Sequence, residues 1–183
     1  MLNSVIVVDD EASIRTAVEQ WLSLSGFSVQ LFAHAEACLA HLPQHFPGVI
    51  ISDVRMPGMD GLQLLERLQA NDPDLPVILL TGHGDVPMAV EAMRMGAYDF
   101  LEKPFTPQDL LGSLRRALEK RQLVLENRRL HEQADLKSRL EVTLLGMSQG
   151  LQQLRRQVLD LAGLPVNVLI RGETGSGKER VAR

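Results

Sequence analysis

Asp9 and Asp10, Asp53, Thr81 and Lys103 each stand at the downstream end of a short apolar run in a chain of 183 residues. If those runs are parallel strands of one sheet, all five side chains converge on one edge, where open α/β sheets bind their ligands. Three carboxylates crowded together there repel one another unless a divalent cation sits between them. A lysine and a hydroxyl beside them suit a transferred phosphoryl group. The pattern points to phosphorylation of a carboxylate rather than to an ordinary hydrolytic centre.

The elements that must position these groups can be read one at a time. Val5 to Val8 is a continuous β-branched run ending in Asp9-Asp10, the pattern of a strand buried on both faces. Ile14, Val18, Trp21 and Leu22 then form one apolar stripe at helical spacing, and Gly26 supplies the stop. The alternation repeats: a strand from Val29 to Phe32 with a helix from Ala35 to Leu42, then Val49 to Ile51 running into Ser52-Asp53. The proline and glycines of Met56 to Gly61 mark a loop, followed by a helix carrying Leu62, Leu64, Leu65 and Leu68. Val77 to Leu80 ends at Thr81, Ala89 to Met95 predicts a helix, and Asp99 to Leu101 leads to Lys103-Pro104. Five β/α units predict an α/β domain of the flavodoxin-like, doubly wound kind, with a five-stranded parallel sheet.

The segments VVDDE, DVRMPGMDG, TGHGD and KPF follow in that order at the ends of four predicted strands. Singly each is weak, since an acidic pair is commonly a solvated helix start and Thr-Gly or Lys-Pro commonly a turn. Together they make residues 1–118 resemble the CheY-like receiver domain of a bacterial two-component response regulator. The resemblance implies that Asp53 is the nucleophile, taking a phosphoryl group from a phosphohistidine on a sensor histidine kinase. It implies one Mg²⁺ held by Asp10 and Asp53 with Asp9 close by, helped by the backbone carbonyl of Arg55. Lys103 would pair with a phosphoryl oxygen and the Thr81 hydroxyl with another, so these two complete the catalytic set with Asp53. Thr81 and Phe100, three residues before Lys103, would form the switch; for Phe100 an ordinary core aromatic is an equal reading. Arg55 and His83 flank the site and could tune the lifetime of the phosphoryl bond. A haloacid-dehalogenase-type phosphohydrolase would need a second acid two residues after its nucleophile, where this chain has Arg55.

Charge divides the chain. Residues 1–109 hold 5 basic against 15 acidic groups and residues 110–183 hold 14 against 8, within a net formal charge of −4. An acidic phosphoacceptor domain thus precedes a basic remainder. Apolar runs fall short of a membrane span, and Val5 to Val8 meets acids at once instead of continuing as a signal peptide, so a cytoplasmic protein without membrane contact is expected. Cys38, the single cysteine, reads as a small core residue.

From Gln108 to Leu140 there is no proline and only one glycine, Gly112, which predicts one long helix leaving the receiver. Residues 119–141 read as a helical linker. Leu111, Leu118 and Leu125 recur every seven residues, and Leu123, Asn127, Leu130 and Ala134 follow a shifted seam. A short parallel dimer seam with Asn127 as its register-setting polar residue is one reading and a solvated linker helix the other.

Val166 to Ile170 has a buried-strand pattern and precedes Gly172-Glu173-Thr174-Gly175-Ser176-Gly177-Lys178-Glu179. This matches the phosphate-cradling GxxxxGK loop, whose backbone N–H groups wrap phosphates while the lysine reaches the outer ones. Glu179 stands where Ser or Thr would supply a Mg²⁺-ligating hydroxyl. That departure, with LeuLeuGlyMetSer upstream and a helix from Leu151 to Leu161, resembles the AAA+ domain of NtrC-type sigma-54 activators, the dicarboxylate-transport regulators among them. Residues 142–183 are therefore expected to be a truncated start of a P-loop AAA+ domain. The family implies ATP, sigma-54 RNA polymerase and promoter DNA as ligands of the full-length protein, with a homodimer built through receiver and linker helix. With five residues after Lys178, no ATP turnover is expected of this chain, and its own phosphoryl transfer is the chemistry left to it. A stand-alone phosphorelay receiver is the alternative; it leaves the linker and the phosphate loop unexplained.

Overall fold

The computed structural model describes residues 3–82, 86–143, 148–161 and 167–171. The first compact unit is Met1–Leu125 and the second Glu126–Arg183. In the first, five strands, β1 (Ser4–Val8), β2 (Ser28–Phe32), β3 (Gly48–Asp53), β4 (Val77–Thr81) and β5 (Asp99–Glu102), form one parallel sheet in the order β2-β1-β3-β4-β5. The chain leaves β1 toward one edge, returns, and continues from β3 toward the other. The direction therefore reverses between β1 and β3, and a crevice opens beyond their carboxyl ends.

Each strand divides its side chains between two cores with period two. Ile6, Val8, Ile50, Val77 and Leu79 face one helical layer, and Val5, Val7, Val49, Ile51, Ile78 and Leu80 face the other. Helices α2 (Ala35–His41), α3 (Gly61–Asn71) and α4 (Val86–Arg94) cover the first core, while α1 (Ala12–Leu24) and α5 (Pro107–Thr143) cover the second. Burial on both faces explains the unbroken apolar runs of β1, β3 and β4; β2 and β5 lie at the edges and are only partly buried.

The helix boundaries have local causes. Helix α1 ends where Gly26, at φ 85°, lets the N–H groups of Gly26 and Phe27 turn back to the carbonyls of Ser23 and Leu22. Asp60 caps α3: its carboxylate accepts from the Gln63 N–H, and the Gln63 side chain accepts from the Asp60 N–H. Helix α4 starts three residues before the expected Ala89, because Pro87 fits the first turn of a helix, where its missing N–H is no loss.

The heptad reading of Leu118 is corrected by its burial. Leu118, assigned by its heptad spacing to a line with Leu111 and Leu125, is a core residue of the receiver, and Leu111 packs against the same core. A seven-residue repeat returns to the same helix face whatever that face is packed against, so spacing alone could not separate a dimer seam from the receiver layer. Arg121, within the stretch read as linker, is likewise fully buried in the first unit. By contrast Leu123, Asn127, Leu130 and Ala134 are all exposed along α5.

In the second unit the expected helix is present as α6 (Gln149–Leu161). The expected strand is not seen in its described part: residues 167–170 form no strand, and Val168 and Leu169 are exposed. A parallel strand needs a neighbour for its backbone groups, and among the described residues of this unit there is no strand to provide one. Val166 and the whole of Gly172 to Glu179 lie outside the described residues. Among the described residues no helix is long and apolar enough to cross a membrane.

Candidate functional site

The crevice between β1 and β3 holds an ion-pair cluster. Asp9, one residue past β1, is fully buried, and Asp53, the last residue of β3, is nearly so. The Lys103 ammonium, carried in from beyond β5, donates to both: 2.9 Å to Asp9 Oδ2 and 2.5 Å to Asp53 Oδ1. Each carboxylate is also held on its other oxygen by a backbone N–H, Asp9 Oδ1 by Glu11 at 2.8 Å and Asp53 Oδ2 by Arg55 at 2.8 Å. Fixing both oxygens sets the plane of each carboxylate, so the geometry is organised before any ligand arrives.

The surrounding backbone makes this placement possible. The Lys103 N–H donates to the Thr81 carbonyl at 2.6 Å, anchoring the chain beyond β5 to the end of β4, and the Lys103–Pro104 peptide is cis. Val54 donates to the Leu80 carbonyl at 2.8 Å and Gly61 to the Val54 carbonyl at 2.9 Å, so the start of α3 closes against the exit of β3. A Cβ on Gly61 would stand 2.2 Å from the Asp53 carbonyl oxygen, which is why only glycine fits there.

Thr81 is buried at the end of β4, one position beyond Leu80, the register partner of Asp53. Phe100 pairs with Leu79 and is partly buried against the first core. The structure thus brings Asp9, Asp53, Thr81 and Lys103 to one edge. Asp10 departs from the expected crowding: it is exposed, and among the described residues no three His, Cys, Asp or Glu side chains lie close enough to share a metal. Strand β1 ends at Val8 and the chain bends at Asp10, and of the acidic pair it is Asp9 whose carboxylate meets Lys103. His83 lies outside the described residues.

Two participants carried no sequence signal. Arg15 Nη1 donates to the Asp9 carbonyl at 2.5 Å, and the Glu36 carboxylate accepts from the Met59 N–H at 3.2 Å, tying the start of α2 to the loop after Asp53. In sequence both look like ordinary charges in the first turns of amphipathic helices.

Burial pushes the Asp53 carboxyl above its ordinary value, and the bond to Lys103 offsets part of that rise. For Lys103 burial pulls downward but is outweighed by the bonds to Asp53 and Asp9, so its ammonium is held above the ordinary lysine value. One ammonium facing two carboxylates leaves an excess negative charge and an all-oxygen donor set, which fits a hard divalent cation.

A raised acid pKa means that the folded chain holds the Asp53 proton more readily than the unfolded chain, so stability is lost as pH rises through the folded value. Asp53→Asn removes that cost. Its melting midpoint at neutral pH is expected to exceed that of the wild type by about a few degrees, with the gap closing below the ordinary carboxylate range. Melting curves at several pH values check this; a variant that melts lower throughout would refute the destabilising role of burial.

The response regulator receiver domain family matches residues 5–115, and the sigma-54 interaction domain family matches residues 144–183. The C4-dicarboxylate transport transcriptional regulatory protein DctD of Pseudomonas aeruginosa is 52% identical over 179 residues, covering 98% of this chain. Its counterpart in Rhizobium meliloti is 51% identical over the same length. The chain spans 39% of the length of each of these relatives. Among solved structures, FixJ-N superposes with a TM-score of 0.60 at 46% identity, covering 63% of this chain and 93% of that one.

Proposed function

Because the chain belongs to the response regulator receiver family, in the NtrC-type group with a sigma-54 interaction domain, we propose that Asp53 accepts a phosphoryl group from a cognate sensor histidine kinase. The observation that carries this is the single ammonium of Lys103 shared by Asp9 and Asp53 where the strand order reverses. Phosphoryl uptake by the wild type against Asp53→Asn tests it.

In the transfer an Asp53 carboxylate oxygen attacks the phosphorus and the P–N bond to the kinase imidazole breaks. The electron pair stays on the ring nitrogen, which solvent reprotonates, so one P–O bond replaces one P–N bond. Lys103 follows the negative charge from the carboxylate onto a phosphoryl oxygen. Thr81 offers its hydroxyl to a second oxygen from the adjacent strand end. The Arg55 N–H keeps Asp53 oriented, while Asp10, Asp53 and the Arg55 carbonyl, with Asp9 beside them, would hold Mg²⁺. When bound, that ion supplies charge neutralisation for the incoming group.

Movement of Thr81, with Phe100 on the neighbouring strand, is the proposed switch. It alters pairing of two receivers and of the exposed face of α5 that carries Leu123, Asn127, Leu130 and Ala134. The match to the sigma-54 interaction domain supports an output through sigma-54 RNA polymerase at promoter DNA, with ATP bound at Gly172 to Glu179 of the complete domain. It also favours the activator over a stand-alone phosphorelay receiver. The 52% identity to a C4-dicarboxylate transport regulator supports genes of dicarboxylate uptake as targets.

Sedimentation with and without Mg²⁺ and beryllofluoride, a phosphoryl mimic, should show a change in association for the wild type. Thr81→Ala should bind the mimic and lose the change. Equal responses of both proteins would remove Thr81 from the switch.

A further inference from the structure

Arg121 is fully buried, although a guanidinium keeps its charge in proteins. Its Nε and Nη2 both donate to the Phe46 carbonyl, at 3.0 and 2.8 Å, and Nη2 also donates to Asp72 Oδ2 at 2.6 Å. Nη1 is buried without a hydrogen-bond partner among the described residues. Asp72 caps the C-terminus of α3, in the layer opposite α5, and Phe46 lies two residues before β3. One side chain of α5 therefore reaches past the start of β3 to the end of a helix on the other face of the sheet.

Stability is a poor reason for such a group, because burying a guanidinium is costly and apolar replacements of buried ion pairs are often no less stable. What the arrangement does supply is register. A slide of α5 by one residue moves the guanidinium about 1.5 Å along the helix axis and turns it by about 100°, which neither acceptor could follow. The same strand that begins beside the Phe46 carbonyl ends at Asp53, and all six residues of β3 are buried. A rigid strand about 20 Å long thus joins the two places.

We propose that Arg121 is a clasp that fixes the position and rotation at which α5 leaves the receiver, with β3 linking the clasp to the phosphoacceptor. The inference rests on the reading of Asp53 as an acceptor whose modification changes pairing through α5. The two arrangements it requires are clasp closed and clasp released, the second freeing the residues after Arg121 to adopt another pairing.

Hydrogen exchange on the 183-residue chain, with and without Mg²⁺ and beryllofluoride, tests this in the wild type, Arg121→Met and Asp72→Asn, with phosphoryl uptake measured alongside. Arg121→Met should lower protection at least tenfold in residues 119–130, leave β3 and β4 protected, keep uptake within twofold, and abolish the response of α5 to beryllofluoride. Asp72→Asn keeps an acceptor but removes the charge paired with the buried guanidinium, so it too should loosen the same segment. If Arg121→Met fails to fold, Asp72→Asn carries the test. Wild-type protection of residues 119–130 in the folded variants overturns the clasp, as does a loss spread evenly through the receiver. Selective loosening of α5 in a protein that takes up no phosphoryl group would support the clasp and sink the acceptor reading, so the two failures are distinguishable.

Discussion

Incubated with Mg²⁺ and a small phosphodonor such as acetyl phosphate, the wild-type chain is expected to gain one phosphoryl group and Asp53→Asn none. The amide cannot act as a nucleophile, and it removes the charge that pairs with Lys103. Lys103→Met should behave differently. It leaves the nucleophile in place but deletes the only cation bonded to the Asp9 and Asp53 side chains among the described residues. Losing one such charge stabiliser costs about 10²–10³ in rate, so the variant should label slowly rather than not at all. Intact-protein mass spectrometry over time separates the two effects. Equal uptake by Asp53→Asn would move the acceptor elsewhere, and wild-type rates in Lys103→Met would leave the central ion pair without a role. Since the Asp53 carboxyl sits above its ordinary value, the reactive carboxylate fraction grows as pH rises through that value, and labelling of the wild type should rise with it.

What the sequence disclosed was set by how local the cause was. The strands were legible because burial on both faces writes an unbroken apolar run, and the turn at Gly26 because a positive φ favours glycine. The site was legible because strand ends in a parallel sheet must share an edge, which carried Asp9, Asp53, Thr81 and Lys103 together from distant positions. Where a role depends on a partner remote in sequence, nothing in the local pattern marks it. Arg121 meets Phe46 and Asp72 across 75 and 49 positions, and Glu36 meets Met59 across 23. Residues 167–170 failed as a strand for the same reason, since a strand is defined by its neighbour. The difference between Asp9 and Asp10 was not legible: adjacent carboxylates are equivalent in composition, and only the fold decides that Asp9 is buried against Lys103 while Asp10 is exposed.

The heptad on α5 has a decisive test in Leu118→Glu. A residue of a dimer seam should tolerate the change in the monomer, whereas Leu118 is buried in the receiver core among Val18, Leu22 and Leu114. Removing a buried leucine costs about 3–5 kcal/mol, and the substituted carboxylate adds the penalty of an unpaired charge in an apolar layer. Against the 5–15 kcal/mol typical of a whole domain, the receiver should lose most of its stability, lowering its melting midpoint by about 10 °C or more. Trp21 contributes to the same core and meets Phe105 edge-on, with ring centroids 6.3 Å apart, so its fluorescence reports the loss. Leu123→Glu is the matched control. Leu123 is 65% exposed, so its replacement should leave the stability within about 0.5 kcal/mol of the wild type. If α5 pairs through its exposed face, Leu123→Glu should nevertheless weaken association in sedimentation. A Leu118→Glu protein that melts with the wild type would return that residue to the dimer seam. The opposite outcome fixes a division along one helix: its first turns belong to the receiver, and any seam between two chains starts only after the buried Arg121.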